Sequence, residues 1–402
     1  MSTSFEPTLA AAHAALAAVR PADYARTRNA LDGAVTRLSP YITHGLLTLP
    51  EVLAAVTARE PLDVQHMFVF ELGWREYFQH VWWHRGDAIF ESIHPGPLPD
   101  AAYARELPAD LLEARTGVPV IDQAVRTLYA SGHLHNHARL WLASYVVHMR
   151  RLHWRSGAEW LCGHLLDGDL ASNHLSWQWV AGTSSSSKPY LFNADNVARF
   201  APAAWHSPGT VIDTSYDTLD RLARGASPPP RAGLGGVAVA VPALLTRPPA
   251  ELVLQTPEAH AVRGRDVWLV HPWALGDPPA DLPPGTLCVA AFIAEVHAEQ
   301  VWSAARWHFV AARMAQVAAL QWFGSATELA AALSAARSVS TIASSHLGHH
   351  LTPIVTCRPV ARLFPVIDSV CHSFSHWWTR ATRGAKRLSD LPGLATAPRK
   401  IP

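Results

Sequence analysis

Cysteine is scarce in this chain, with Cys162, Cys288, Cys357 and Cys371 far apart and no CxxC pair. That spacing excludes a disulfide framework and argues against zinc or iron–sulfur ligation, leaving reduced, buried thiols as the expectation. Lysine is scarcer still, at Lys188, Lys386 and Lys400 only, so arginine carries the basic side. The formal net charge of +1 excludes a strongly basic protein, and any nucleic-acid contact has to come from a local patch. No stretch reaches the length of a membrane span, and MSTSFEPTLAAAHAALAAV lacks the basic start and long apolar core of a signal peptide, so a soluble cytoplasmic protein is expected. Tryptophan, by contrast, is plentiful at 16 residues, beyond what packing asks of so large a side chain with a hydrogen-bond donor.

A length of 402 residues exceeds the usual single domain, so two folding units are expected. Residues 1–225 carry apolar residues at helical spacing: Ile121, Val125 and Leu128, then Leu140, Ser144, Val147 and Arg151 along one continuous run. Ser39-Pro40 and Thr116-Gly117 read as helix starts, and Gly45, Gly132 and Gly182 as stops. Residues 226–250, with SPPPRAGLGG and TRPPAE, read as a linker. Beyond it, 251–390 alternates strand-like runs (Val267–Val270, Leu287–Phe292, Ser338–Ala343) with helical ones (Trp302–Leu320, Ala326–Ala336), and 391–402 reads as a tail. No GxGxxG or GxxxxGK[ST] follows these strands, which leaves a nucleotide-phosphate loop unsupported there.

Polar groups stand out in the helical half. The hydroxyls of Thr36 and Ser39 before Pro40 sit at a helix start, where free N–H groups suit either a phosphate or ordinary capping. Asp167-Gly168-Asp169 resembles the opening of a calcium loop, but Gln178 stands where the closing acid is needed. His133, His135 and His137 alternate and suit a metal poorly, so no metal is expected. Trp82, Trp83, Trp141 and Trp160 read as packing residues.

Taken in order, these groups resemble the FAD-binding domain of the cryptochrome/photolyase family from about residue 20 to 205, most densely in TGVPVIDQAVRTLYASGHLHNHARLWLAS and LLDGDLASNHLSWQWVAGT. The resemblance implies a mainly α FAD-binding domain, and the alternating segment that follows it reads as a smaller α/β, Rossmann-like one. It assigns Thr36, Leu38 and Ser39 to a phosphate-binding turn, with Val35 where a further hydroxyl is usual, and Tyr24 to a place near the phosphates. Arg75 and Arg139 stand beside the flavin, Arg139 paired with Asp167; Asp169 faces the isoalloxazine ring and Asn173 its N5. Trp177 and Trp154 begin an electron-transfer chain whose outer member is Tyr103 in place of a tryptophan. Glu71, Trp74, Asn136 and Trp179 line the cavity for a flipped pyrimidine dimer, with Leu140 in place of a frequent methionine.

Asparagine at 136, where photolyases for the (6-4) lesion carry histidine, points to the cyclobutane dimer. Two departures weaken the expected grip on DNA. An arginine after Trp179 is missing from VAGTSSSSKPYLFNADN, with Lys188 as a partial substitute, and His137 replaces another. Arg26, Arg28, Arg150, Arg151 and Arg155 are the remaining basic candidates, and RATRGAKR reads as a solvated helix end. The family's usual first α/β domain is missing from its place, and 251–385 faintly resembles it moved to the C-terminal side, with any antenna pigment unidentified. Three functions stay open: light-driven repair of cyclobutane pyrimidine dimers in damaged DNA; a cryptochrome-type photoreceptor whose photoreduction alters a signalling partner; and a flavoprotein without photochemistry.

Overall fold

The computed structural model describes residues 5–226, 235–348, 350 and 354–395. Most of SPPPRAGLGG and the end of the tail lie outside them. Helices dominate as far as Ala223. Pro119–Ser131 buries Val120, Ile121, Ala124, Val125 and Leu128 on one stripe, and Gly132 ends it at φ 62°, a left-handed turn that returns its N–H to Leu128 O. The expected continuous run through Arg151 is broken: Asn136–Ser144 gives way to a π-helical turn at Tyr145–Met149, and Arg151 has φ 50°. Residues 145–149 are all buried, and Arg150, itself largely buried, clasps Asp110 with bonds of 2.7 and 3.0 Å.

Helix Trp154–His164 packs on helix Leu170–Ala181, and the short loop Leu165–Asp169 joins them. Gly157 lets the two approach closely, since a Cβ there would lie 2.4 Å from the Trp177 ring. Helix Met67–Arg85 packs against Leu170–Ala181 as well.

The second half is a five-stranded parallel sheet in the order Leu320–Gly324, Leu287–Ile293, Asp266–Val270, Ser338–Ile342, Thr356–Arg358. Numbered along the chain this is 3-2-1-4-5, the doubly wound order in which the crevice for ligands opens between strands 1 and 4. The expected helix Trp302–Leu320 is shorter, at Ala304–Val317, because Ala318 turns extended and LQWFG becomes a strand. Asp266–Val270, Leu287–Ile293 and Ser338–Ile342 match the expected strands to within a residue.

Two apolar clusters form the interior. One runs from Phe5 to Ile89, takes in Leu166, Leu170 and Leu175, and continues into the sheet; the other spans Leu111 to Leu222. The C-terminal helix Phe374–Ala381 returns to the helical half. Its Trp378 sits over Gly73, where a Cβ would come within 2.6 Å, and donates to Gln65 Oε1 at 3.1 Å. Glu76 accepts the N–H groups of Leu363 and Phe364.

Trp82, Trp141 and Trp160 are packed inside, Trp141 donating to Asn196 and Trp160 to Tyr129. Trp83 is 54% exposed, contrary to expectation, because it faces outward from its helix. Cys162 and Cys371 are buried, but Cys288 is half-buried near the start of its strand and Cys357 is exposed on the edge strand. Arg380, Arg383, Lys386 and Arg387 are solvated as expected. Among the described residues, no helix is long and apolar enough to cross a membrane, and no cluster of side chains could hold a metal.

Candidate functional site

The loop Leu165–Asp169 is the centre of the polar interior. Asp169 caps helix Leu170–Ala181: its Oδ1 accepts from Ser172 N at 2.7 Å and its Oδ2 from Gln79 Nε2 at 3.0 Å. Asp167 is buried and takes Arg139 Nη2 at 2.8 Å on both oxygens, with the Ser39 hydroxyl donating as well. Burial alone would raise its pKa; Arg139, followed by His133, overrides this and holds the carboxyl well below the usual range. Arg139 Nε is fixed on Leu134 O at 2.8 Å, so the pair has little freedom.

Arg75 projects toward the same loop from helix Met67–Arg85. Asp167, Asp169 and Tyr24 act on it electrostatically, yet it has no hydrogen-bond acceptor among the described residues. Burial lowers its pKa, but a guanidinium stays protonated in a protein. Tyr24 lies edge-on to Phe68, and burial, reinforced by Glu71, raises its hydroxyl pKa. Glu71 in turn receives Arg28 Nε at 3.3 Å, and burial raises its carboxyl against the pull of Arg28 and Arg75.

The remaining expected positions fall around this centre. Leu38 is buried, Thr36 Oγ1 accepts from Leu38 N at 3.4 Å, and the turn between them passes through Arg37 at φ 54°. Asn173 is buried one turn into helix Leu170–Ala181, its Nδ2 donating to Ala158 O at 2.8 Å. Trp177 is buried against Gly157, in the same helix as Trp154. Trp154 is also buried and donates to Ser92 Oγ at 2.9 Å. Trp154 and Tyr103 together line a surface cavity of about 460 Å³ walled by Pro95, Pro97 and Leu98.

Trp74 and Trp179 open on a second cavity, of about 250 Å³, but the chain's own C-terminal segment 370–375 forms its far side. Phe374 stacks on Trp74 at 4.0 Å and 8°, so one face of that indole is covered. Trp179 is 44% exposed and rests on Tyr190. Asn136 is exposed at the first position of its helix, whereas His137 points inward to Asn29 O at 2.8 Å and burial keeps it neutral. Arg26, Arg28, Arg150 and Arg155 are each paired with a carboxylate, which reduces the field they offer to a phosphate backbone. Lys188 is exposed.

Three participants were missed from sequence. Gln79 was legible in principle, since Glu71, Arg75 and Gln79 recur every four residues and share a helix face. Arg306 and His346, both from the α/β half, carry no such signal. Arg306 Nη2 donates to Gly168 O at 2.7 Å, and His346 Nε2 lies 3.5 Å from Asp169 Oδ2. They reach the loop only because the open end of the sheet faces the helices.

Residues 68–204 match the family described as the FAD binding domain of DNA photolyase. Among curated relatives, the deoxyribodipyrimidine photo-lyase of Streptomyces griseus is 35% identical over 169 residues, covering 42% of this chain and 37% of that one. The cryptochrome DASH of Idiomarina loihiensis is 32% identical over 169 residues, covering 40% and 38%. The chain thus spans less than half the length of these relatives. Among solved structures, a Synechocystis cryptochrome is 28% identical over 48% of this chain and 43% of that one, with a TM-score of 0.43.

Proposed function

We propose that the helical half of this chain, where residues 68–204 match the FAD binding domain of DNA photolyase, uses light to drive electron transfer from bound FAD to a cyclobutane pyrimidine dimer in DNA. FAD is the cofactor of this domain, and the residues present fit it. Arg75 offers a guanidinium with no acceptor among the described residues, beside two aspartates whose other contacts are made, which suits a flat, polar, partly anionic ring. The single observation that carries the reading is this polar cluster around Asp167–Asp169, buried at a cost that packing alone does not repay. FAD, when bound, supplies the light absorption and the transferred electron.

The protein's share is to hold and surround. Arg139 and Ser39 fix Asp167, the N-cap fixes Asp169, and Asn173 sits one turn further along the same helix. Trp177 and Trp154 offer buried indoles between the loop and the surface, with Tyr103 outermost. Glu71, held by Arg28, offers a polar contact to a pyrimidine, and Trp179 offers an exposed face for a base. Dimer cleavage returns the electron, so the cycle needs no net reductant once the flavin is reduced.

The test is to reduce the flavoprotein, add an oligonucleotide carrying one dimer, illuminate with blue light and count intact dimers against a dark control. Light-dependent loss supports repair. A photoreceptor without repair is the second reading, favoured by the Phe374 ring stacked on Trp74 and by the paired arginines. Normal flavin photoreduction with no loss of dimers in single- or double-stranded DNA would select it.

A further inference from the structure

Arg306 lies in helix Ala304–Val317 of the α/β half, outside the region matched to the flavin domain. It is 1% exposed, its guanidinium 4.1 Å above the Trp302 ring. Nη2 donates to Gly168 O at 2.7 Å and Nη1 to Cys162 O at 3.4 Å, with the Cys162 thiol beside them; Nε has no partner. The fit requires glycine at 168, where a Cβ would lie 2.5 Å from Nη1. Asp167 and Asp169 act on Arg306 electrostatically, but no carboxylate bonds to it among the described residues.

A buried cation without a bonded anion is costly and does not escape by deprotonation. Around the loop, Arg75, Arg139 and Arg306 face Asp167 and Asp169, three positive charges against two negative ones. The other α/β residue at the loop adds no charge. His346 is stacked on Trp273 at 4.4 Å and 12°, and burial pushes its pKa down to about 3. Of these three cations, Arg306 is the one delivered by the α/β half, through the end of the sheet where a doubly wound domain would ordinarily open its own ligand crevice.

We propose that Arg306 is a positioning residue for the flavin site: it pins the Asp167–Asp169 loop through Gly168 O, and its charge favours the anionic reduced state of the flavin. This rests on the FAD assignment above. An electron added beside a fixed, desolvated cation is stabilised, and a charge acts over several ångströms in a poorly screened interior. The α/β half is then part of the redox site and not only a neighbour of it.

The experiment compares wild type, Arg306→Lys and Arg306→Met for FAD content, far-ultraviolet circular dichroism and flavin midpoint potential. Methionine keeps bulk and removes the charge; lysine keeps the charge and loses the fork. The expected result is that Arg306→Met lowers the ratio of reduced to oxidised flavin at fixed potential by about 10-fold, while Arg306→Lys stays within about 3-fold of wild type. An unchanged potential in Arg306→Met overturns the proposal. Equal shifts in both variants, or equal loss of FAD, also overturn it, because the role would then be packing. A wild-type chain that takes up no FAD at all would instead remove the flavin assignment.

Discussion

The helical half and the α/β half are both well packed, but they differ in what lies inside. The helical interior holds ionised groups at fixed positions: Asp167 bound by Arg139 and Ser39, Arg75 opposite, and Arg150 on Asp110. The sheet is filled by Val267, Leu269, Val289, Phe292 and Trp322, with few polar side chains. Burying charge is expensive, so a site that keeps it has a use for it, whereas an apolar core is tolerant of exchange. The exceptions are Arg313, paired with Asp277 within the α/β half, and Arg306, whose charge is spent on the other half's loop.

This contrast is sharpest under mutation. Asp167→Ala leaves the partly buried Arg139 without its partner and should cost about 3 kcal/mol, seen as a lower denaturant midpoint together with loss of flavin. The join between the halves should respond to pH. Burial pushes the Glu76 carboxyl up to about 7 from its ordinary 4.5, so its contribution is full below the lower value and fades as pH rises through the higher one. Roughly 3 kcal/mol of the Glu76 contribution should fade between about pH 4 and pH 8, read as the difference in thermal unfolding between wild type and Glu76→Gln, because buried histidines such as His44 and His80, held low by burial, act in the opposite direction in both proteins. Gly157→Ala pushes against Trp177 and should cost about 1–3 kcal/mol while disturbing flavin photoreduction. Ser325→Ala removes a capping box in the α/β half and should cost only about 1 kcal/mol, with the flavin spectrum unchanged. A flavin effect as large from Ser325→Ala as from Asp167→Ala would erase the distinction between the halves.

The same difference decided how much was legible beforehand. Asp167, Arg139, Asn173 and Trp177 could be named because polar and aromatic residues recur in a recognisable order; in the structure Arg139 binds Asp167, Asn173 donates to Ala158 O, and Trp177 packs on Gly157. The strand positions 267–270, 287–292 and 338–343 were legible from apolar runs bounded by turn residues. The strand Leu320–Gly324 is not legible in the same way: the expected helix runs through Leu320, and only pairing with Leu287–Ile293 makes the segment a strand. Arg306, His346 and Phe374 were not legible, since their roles come from contacts across more than a hundred residues of sequence. A local pattern cannot carry that information.

The most direct test of the central claim is the FAD content of the purified chain beside that of Asp169→Ala, with circular dichroism as the check on folding. Loss of the N-cap costs about 1 kcal/mol, too little to unfold the domain. Wild type with one FAD per chain and a folded Asp169→Ala with none would agree with the account. Stoichiometric flavin in Asp169→Ala, or none in wild type, would contradict it.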